Sequence, residues 1–144
     1  MATEKTARST WEGTLAEGSG RVTFGSGAVT DLEVTWKDRA EGGTGTSPEE
    51  LIAGAHASCV LMALAAGLAR AGTPPTSLES EAKTTFDKVG EGFEITKMEL
   101  KIRGRVDGID DDAFRQAAEG AKENCPVSQA LQGNVEVTLD AALA

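Results

Sequence analysis

The chain has 144 residues, with 14 lysines and arginines against 23 aspartates and glutamates and a formal net charge of −9. That length suits one domain with an ordinary core, expected over residues 1–144, and the acidity argues against nucleic acid or an anionic membrane, which need a basic face. Two cysteines cannot make a disulfide framework, and residues 1–8 hold no apolar leader, so the expected compartment is the reducing cytoplasm.

In chain order, residues 1–7 are polar and expected to be loose. Trp11 opens an extended stretch over residues 10–15, and a second follows over residues 21–24 after the Gly18-Ser19-Gly20 turn. Leu32, Val34 and Trp36 then alternate with charged and polar residues, the period-two signature of a third strand. Residues 38–45 (DRAEGGTG) read as a glycine-rich loop running into the best-marked element, a helix over residues 46–72. Ser47 is its N-cap, Pro48 its first helical residue and Glu50 the third, completing a capping box; Gly72 and Pro74-Pro75 stop it. Residues 51–69 carry no charge. The length fits a membrane span, but the run is mostly alanine and glycine with Ser58 and His56 inside it. The expected reading is a helix buried almost all round at the centre of a globular fold.

Two further strands are expected over residues 77–89 and 93–106, with Gly90 and Gly92 between them. Phe93 and Ile95 lie on one face of the latter, and Met98, Leu100 and Ile102 on the other, which calls for a bulge or strong twist at Thr96 to Lys97. Asp110 N-caps a helix with the apolar face Phe114, Ala117, Ala118, Ala121; it ends at Glu123 or Asn124, because Cys125 precedes Pro126. Cys125 then caps a short helix over residues 126–131, and a last strand carries Val135, Val137 and Leu139. The order strands, helix, strands, helix, strand is that of an α+β domain.

The chemistry centres on Cys59 and Cys125. A thiolate needs a nearby cation or aligned backbone N–H groups. Cys125 has such a setting at its N-cap, whereas Cys59 in mid-helix would need help from elsewhere, so local physics makes Cys125 the more acidic; the plainer reading is that both are small buried hydrophobes. His56 stands one turn before Cys59 and can be read as half of a Cys-His pair or as a structural histidine, the favoured reading. The set falls short of a metal site, since two thiols and one imidazole lack the spacing and number of ligands. Glu49, at the second helical position, has no local task. It is about 15 Å along the axis from Cys59, so a shared site would need a broken helix or a second subunit.

The segments GTSPEELIAGAHASC (Gly45 to Cys59), NCPVSQAL (Asn124 to Leu131) and WEG (Trp11 to Gly13) resemble the OsmC and Ohr family of peroxide-reducing proteins, its OsmC branch in particular, over nearly the whole chain. The resemblance implies an OsmC-like α+β fold: antiparallel sheets packed around a long buried central helix, in an intertwined homodimer. It implies a cysteine-dependent peroxidase for organic hydroperoxides, less effective on hydrogen peroxide, serving oxidative and osmotic stress defence. Cys59 falls on the attacking cysteine and Cys125 on the resolving one. Arg39 falls on the arginine that activates Cys59 and Glu49 on the glutamate that holds it, with Arg21 in the region used by the Ohr branch. No cofactor is implied; the reductant would be an external dithiol, lipoyl or thioredoxin-like. The rival readings are a Cys-His hydrolase and a non-catalytic stress-associated binding module.

Overall fold

The computed structural model describes residues 1–144, which fall into two compact units, Met1–Leu51 and Ile52–Ala144.

In the first unit, β1 (Ala7–Glu12), β2 (Ser19–Phe24) and β3 (Leu32–Val34) form an antiparallel sheet in chain order. β1 lies three residues earlier than expected. The third strand stops at Val34, and Trp36 belongs to a short helix, α1 (Trp36–Ala40). Thr35 explains the change: its Oγ1 accepts from the Asp38 N–H at 3.1 Å and donates to Asp38 Oδ2 at 2.6 Å, a reciprocal N-cap that overrides the alternating pattern. Asp38 Oδ1 also accepts from the Gly45 N–H at 3.1 Å, tying the loop back onto α1. A Cβ on Gly45 would stand 2.4 Å from Asp38 Oδ2, so the clamp requires glycine there.

α2 (Pro48–Arg70) is one unbroken helix of 23 residues. Ser47 Oγ accepts from the Glu50 N–H at 3.1 Å as its cap. The return half of the expected box differs, because the Glu50 carboxylate accepts instead from Thr46 Oγ1 at 2.8 Å. At the other end Gly72 has φ +85°, and the Thr73 N–H reaches Leu68 O at 3.0 Å, the left-handed stop expected of that glycine.

In the second unit, β4 (Ser77–Val89) pairs antiparallel with β5 (Gly92–Arg105). Thr85 pairs with Lys97 and Phe86 with Ile95, which leaves Thr96 as the extra residue of a bulge at the expected place. The helices α3 (Asp111–Asn124) and α4 (Pro126–Leu131) follow, then β6 (Glu136–Leu143). β6 joins the free edge of β5 in parallel, so this sheet is mixed where the sequence had led us to expect antiparallel pairing. The α3–α4 crossover makes that possible, since a parallel return needs a long connection.

The core of this unit is Val60, Leu64 and Leu68 of α2, Met98, Leu100 and Ile102 of β5, and Phe114, Ala118 and Ala121 of α3. α2 is long and apolar enough to cross a bilayer by length and composition, yet only 22% of its most apolar window is buried. The expected all-round burial is therefore not what the single chain has. His56, Val60, Leu64 and Leu68, at spacings of four, form the buried face, while Gly54, Ser58, Met62 and Ala66 are exposed.

Candidate active site

The site of the second unit is assembled from two segments far apart in sequence. Cys59 projects from the middle of α2 and is half-buried; Cys125 is fully buried at the junction where α3 ends and α4 begins. Asp110 Oδ1 caps α3 through the Ala113 N–H at 2.8 Å. Cys125 leaves the helical region (φ −65°, ψ 123°) because Pro126 follows it. Both cysteines are free thiols, near enough for each to perturb the other's ionisation.

Their electrostatics differ as the local reading led us to expect. Burial, with the hydrogen bond given to Cys125, pushes the Cys59 thiol up. Burial also pushes Cys125 up, but its polar neighbours, Cys59 first and then Ser128 and Val127 of α4, outweigh it and bring this thiol down. Of the two thiols, Cys125 is thus the more readily ionised.

His56 is fully buried one turn before Cys59. Its Nε2 lies 2.7 Å from Ser128 Oγ, and its Nδ1 is buried without a hydrogen-bond partner. Neither ring nitrogen is hydrogen-bonded to Cys59, so the geometry offers no Cys-His base pair. Burial holds the imidazole pKa below its ordinary value, in the neutral form. Sequence reasoning missed Ser128, whose only signal was its place within the second cysteine segment. No cluster of three or more histidine, cysteine or acidic side chains suited to a metal ion is present.

The first unit builds its own charged pair. Arg39, on α1, meets Glu49, in the first turn of α2, through Nε at 3.0 and 3.1 Å from the two carboxylate oxygens and Nη2 at 2.7 Å from Oε1. The Glu49 side chain is 7% exposed and that of Arg39 35%, so the fork is fixed at its carboxylate end and open at its guanidinium end. Arg21 is engaged elsewhere, with Glu33 across β2 and β3 at 3.1 Å, and both side chains are about half exposed.

Comparison with known proteins agrees with this architecture. The family model described as "OsmC-like protein" matches residues 40–140. "Peroxiredoxin OsmC" of Escherichia coli (strain K12) is 44% identical over 140 residues, 97% of this chain and 96% of that protein. The solved structure of the organic hydroperoxide resistance protein OhrB of Bacillus subtilis superposes with a TM-score of 0.75 at 30% identity, covering 94% of this chain and 97% of that one. An organic hydroperoxide resistance protein from Elizabethkingia anophelis gives a TM-score of 0.79 at 25% identity over the full length of both chains. With a matching family model, a shared fold and a relative 44% identical over nearly its whole length, the chain belongs to the OsmC-like family.

Proposed function

We propose that the chain is a thiol peroxidase that reduces organic hydroperoxides, and hydrogen peroxide less well, in the cytoplasm. The observation that carries this reading is the neighbouring pair of free thiols, Cys59 half-buried and Cys125 fully buried. The printed names of the relatives, a peroxiredoxin and hydroperoxide resistance proteins, support the same class of activity.

In the proposed reaction the Cys59 thiolate attacks the distal peroxide oxygen. The O–O bond breaks, an alkoxide leaves and takes a proton, and Cys59 becomes a sulfenic acid. The Cys125 sulfur then displaces hydroxide from Cys59 Sγ, forming the Cys59–Cys125 disulfide and water. An external dithiol, of lipoyl or thioredoxin type, reduces it by exchange. No cofactor takes part in this scheme.

The first step needs a thiolate at Cys59, whereas within the second unit alone Cys125 ionises the more readily of the two. A cation brought to Cys59 would reverse the order. Arg39, held by Glu49, is proposed to be that cation. Because α2 is unbroken from Pro48 to Arg70, the proposal is that Arg39 and Glu49 serve the Cys59 of a partner chain in a homodimer. The exposed α2 face around Met62 is consistent with such a partner.

The test mixes reduced protein with one equivalent of cumene hydroperoxide and follows free thiols and intact mass, beside Cys59→Ser and Cys125→Ser. Two thiols should vanish with a mass loss of about 2 Da, and Cys59→Ser alone should abolish peroxide consumption. Thiols that survive untouched would point to a binding module. Ester hydrolysis that persists in Cys125→Ser would point to the hydrolase, a reading the ring nitrogens of His56 do not favour.

A further inference from the structure

His56 and Ser128 are both buried, and neither has a task in the scheme above. They lie 72 residues apart in sequence, and Nε2 stands 2.7 Å from Oγ. In a neutral imidazole one nitrogen bears the hydrogen and the other a lone pair. Nδ1 is buried without a partner, and an orphaned buried N–H is rarer than an under-satisfied acceptor. The hydrogen therefore belongs on Nε2, which donates to Ser128 Oγ. This leaves the hydroxyl hydrogen of Ser128 for Cys125, which caps the same short helix three residues earlier and whose thiol that hydroxyl helps to bring down.

We infer that His56 and Ser128 are positioning residues that make Cys125 the leaving thiolate when the Cys59–Cys125 disulfide is reduced, so that the reductant's sulfur lands on Cys59. The inference rests on the peroxidase reading for the physiological role of that disulfide. Exposure points the same way: Cys125 is fully buried, whereas Cys59 is partly open to an incoming thiolate. In the step, one thiolate of the dithiol attacks Cys59 Sγ and forms a mixed disulfide. The Cys59–Cys125 bond breaks, and its electron pair goes to Cys125 Sγ, where the Ser128 hydroxyl, itself accepting from His56, receives the charge. The second thiol of the dithiol then attacks its own chain's sulfur in the mixed disulfide, closing a cyclic disulfide and releasing Cys59 to take up a proton. Two electrons and two protons pass from dithiol to protein.

The titratable groups around Cys125 are few. Cys59 faces it from α2, and His56 reaches it through Ser128. Lys122 and Glu123 of α3 line the surface cleft that Ser128 also borders. A slower reduction on removing Ser128, restored by Ser128→Thr, therefore reports on the hydroxyl.

The test forms the disulfide with diamide, without peroxide, and reduces it with dithiothreitol across pH 6–9, roughly the range in which thiols titrate. A parallel sample treated with 2-mercaptoethanol is acid-quenched and its adduct mapped by mass spectrometry. The wild-type adduct should sit on Cys59. Ser128→Ala and His56→Leu should be reduced about tenfold more slowly across the whole range, because a less stabilised thiolate leaves more slowly. Ser128→Thr keeps the hydroxyl and His56→Gln keeps a donor, so both should stay near wild type. An adduct on Cys125, or Ser128→Ala reduced at the wild-type rate, overturns the inference; so does failure of diamide to form the disulfide. The adduct is read on the wild-type chain, so it decides even where a variant does not fold. A chain that passes this test and leaves cumene hydroperoxide untouched would keep the inference and sink the peroxidase reading.

Discussion

Arg39 grips Glu49 with Nε and Nη2 at 2.7 to 3.1 Å, a planar fork that a lysine cannot reproduce. Under the proposed mechanism the grip fixes the cation that activates Cys59. Arg39→Ala should therefore lower kcat/KM for cumene hydroperoxide by about 100-fold, the scale of losing one preorganised charge-stabilising group. Glu49→Ala should cost less, about tenfold, because the guanidinium remains but is no longer aimed. Arg39→Lys should not restore the rate. Arg21, paired with Glu33 on the sheet, serves as the comparison: if Arg21→Ala loses the activity and Arg39→Ala keeps it, the assignment of the arginine is wrong.

Much of this architecture could be read from the chain because its signals are local. Ser47, Asp110, Gly72 and the Cys125-Pro126 step act through hydrogen bonds or steric exclusion within a few residues, and each stands where the sequence placed it. Even the bulge at Thr96 follows from a switch of apolar face within one strand. What the sequence hid is non-local or competitive. Trp36 continues an alternating pattern, but the Thr35 and Asp38 cap wins there and makes a helix. The parallel docking of β6 depends on a crossover with no local signature. His56 and Ser128 meet across 72 residues. The resemblance identified both cysteines but gave no role to the serine between the imidazole and the second thiol.

Gly104 tests how tightly the second unit is packed. A Cβ there would stand 2.7 Å from Phe114 Cε2 and Cζ and 2.8 Å from Leu78 Cδ2, and Phe114 is fully buried. The ring has no room to yield, so Gly104→Ala should destabilise the fold by about 1–3 kcal/mol through overpacking. Phe114→Ala should cost about 3–5 kcal/mol by leaving a cavity. Urea denaturation gives both values, and a Gly104→Ala midpoint equal to wild type would mean that the β5–α3 contact has room for the added methyl.

The single histidine of the chain gives folding stability a defined pH dependence. Burial lowers the His56 pKa from its ordinary 6.5, so below that value the unfolded chain binds a proton that the folded chain refuses. Unfolded molecules then hold more protons, and stability rises with pH across this window and falls as pH drops below about 6.5, with a limiting slope of about 1.4 kcal/mol per pH unit. Urea midpoints from pH 8 down to 5.5 should show this fall in wild type and a shallower one in His56→Gln. Parallel curves for the two chains would show that the imidazole accepts a proton in the folded state as readily as in the unfolded one.

Met62 bears on the proposed second subunit. It is 73% exposed on the α2 face that also exposes Gly54, Ser58 and Ala66, a stripe of small side chains around one large flexible apolar one. Small residues let another backbone approach closely, and Met adapts its shape to fill the gap that remains. If a partner chain covers this face, a charge at its centre would be buried without a counter-ion and the association would fail. Met62→Glu should then convert a dimer to a monomer in light scattering, while the far-ultraviolet circular dichroism stays that of a folded chain, because the buried face of α2 at Val60, Leu64 and Leu68 is untouched. The same variant should lose hydroperoxide activity if Arg39 acts across the interface, and should keep it if Arg39 serves its own chain. A monomeric wild type with full activity would remove the need for the partner altogether and return the activation of Cys59 to groups of a single chain.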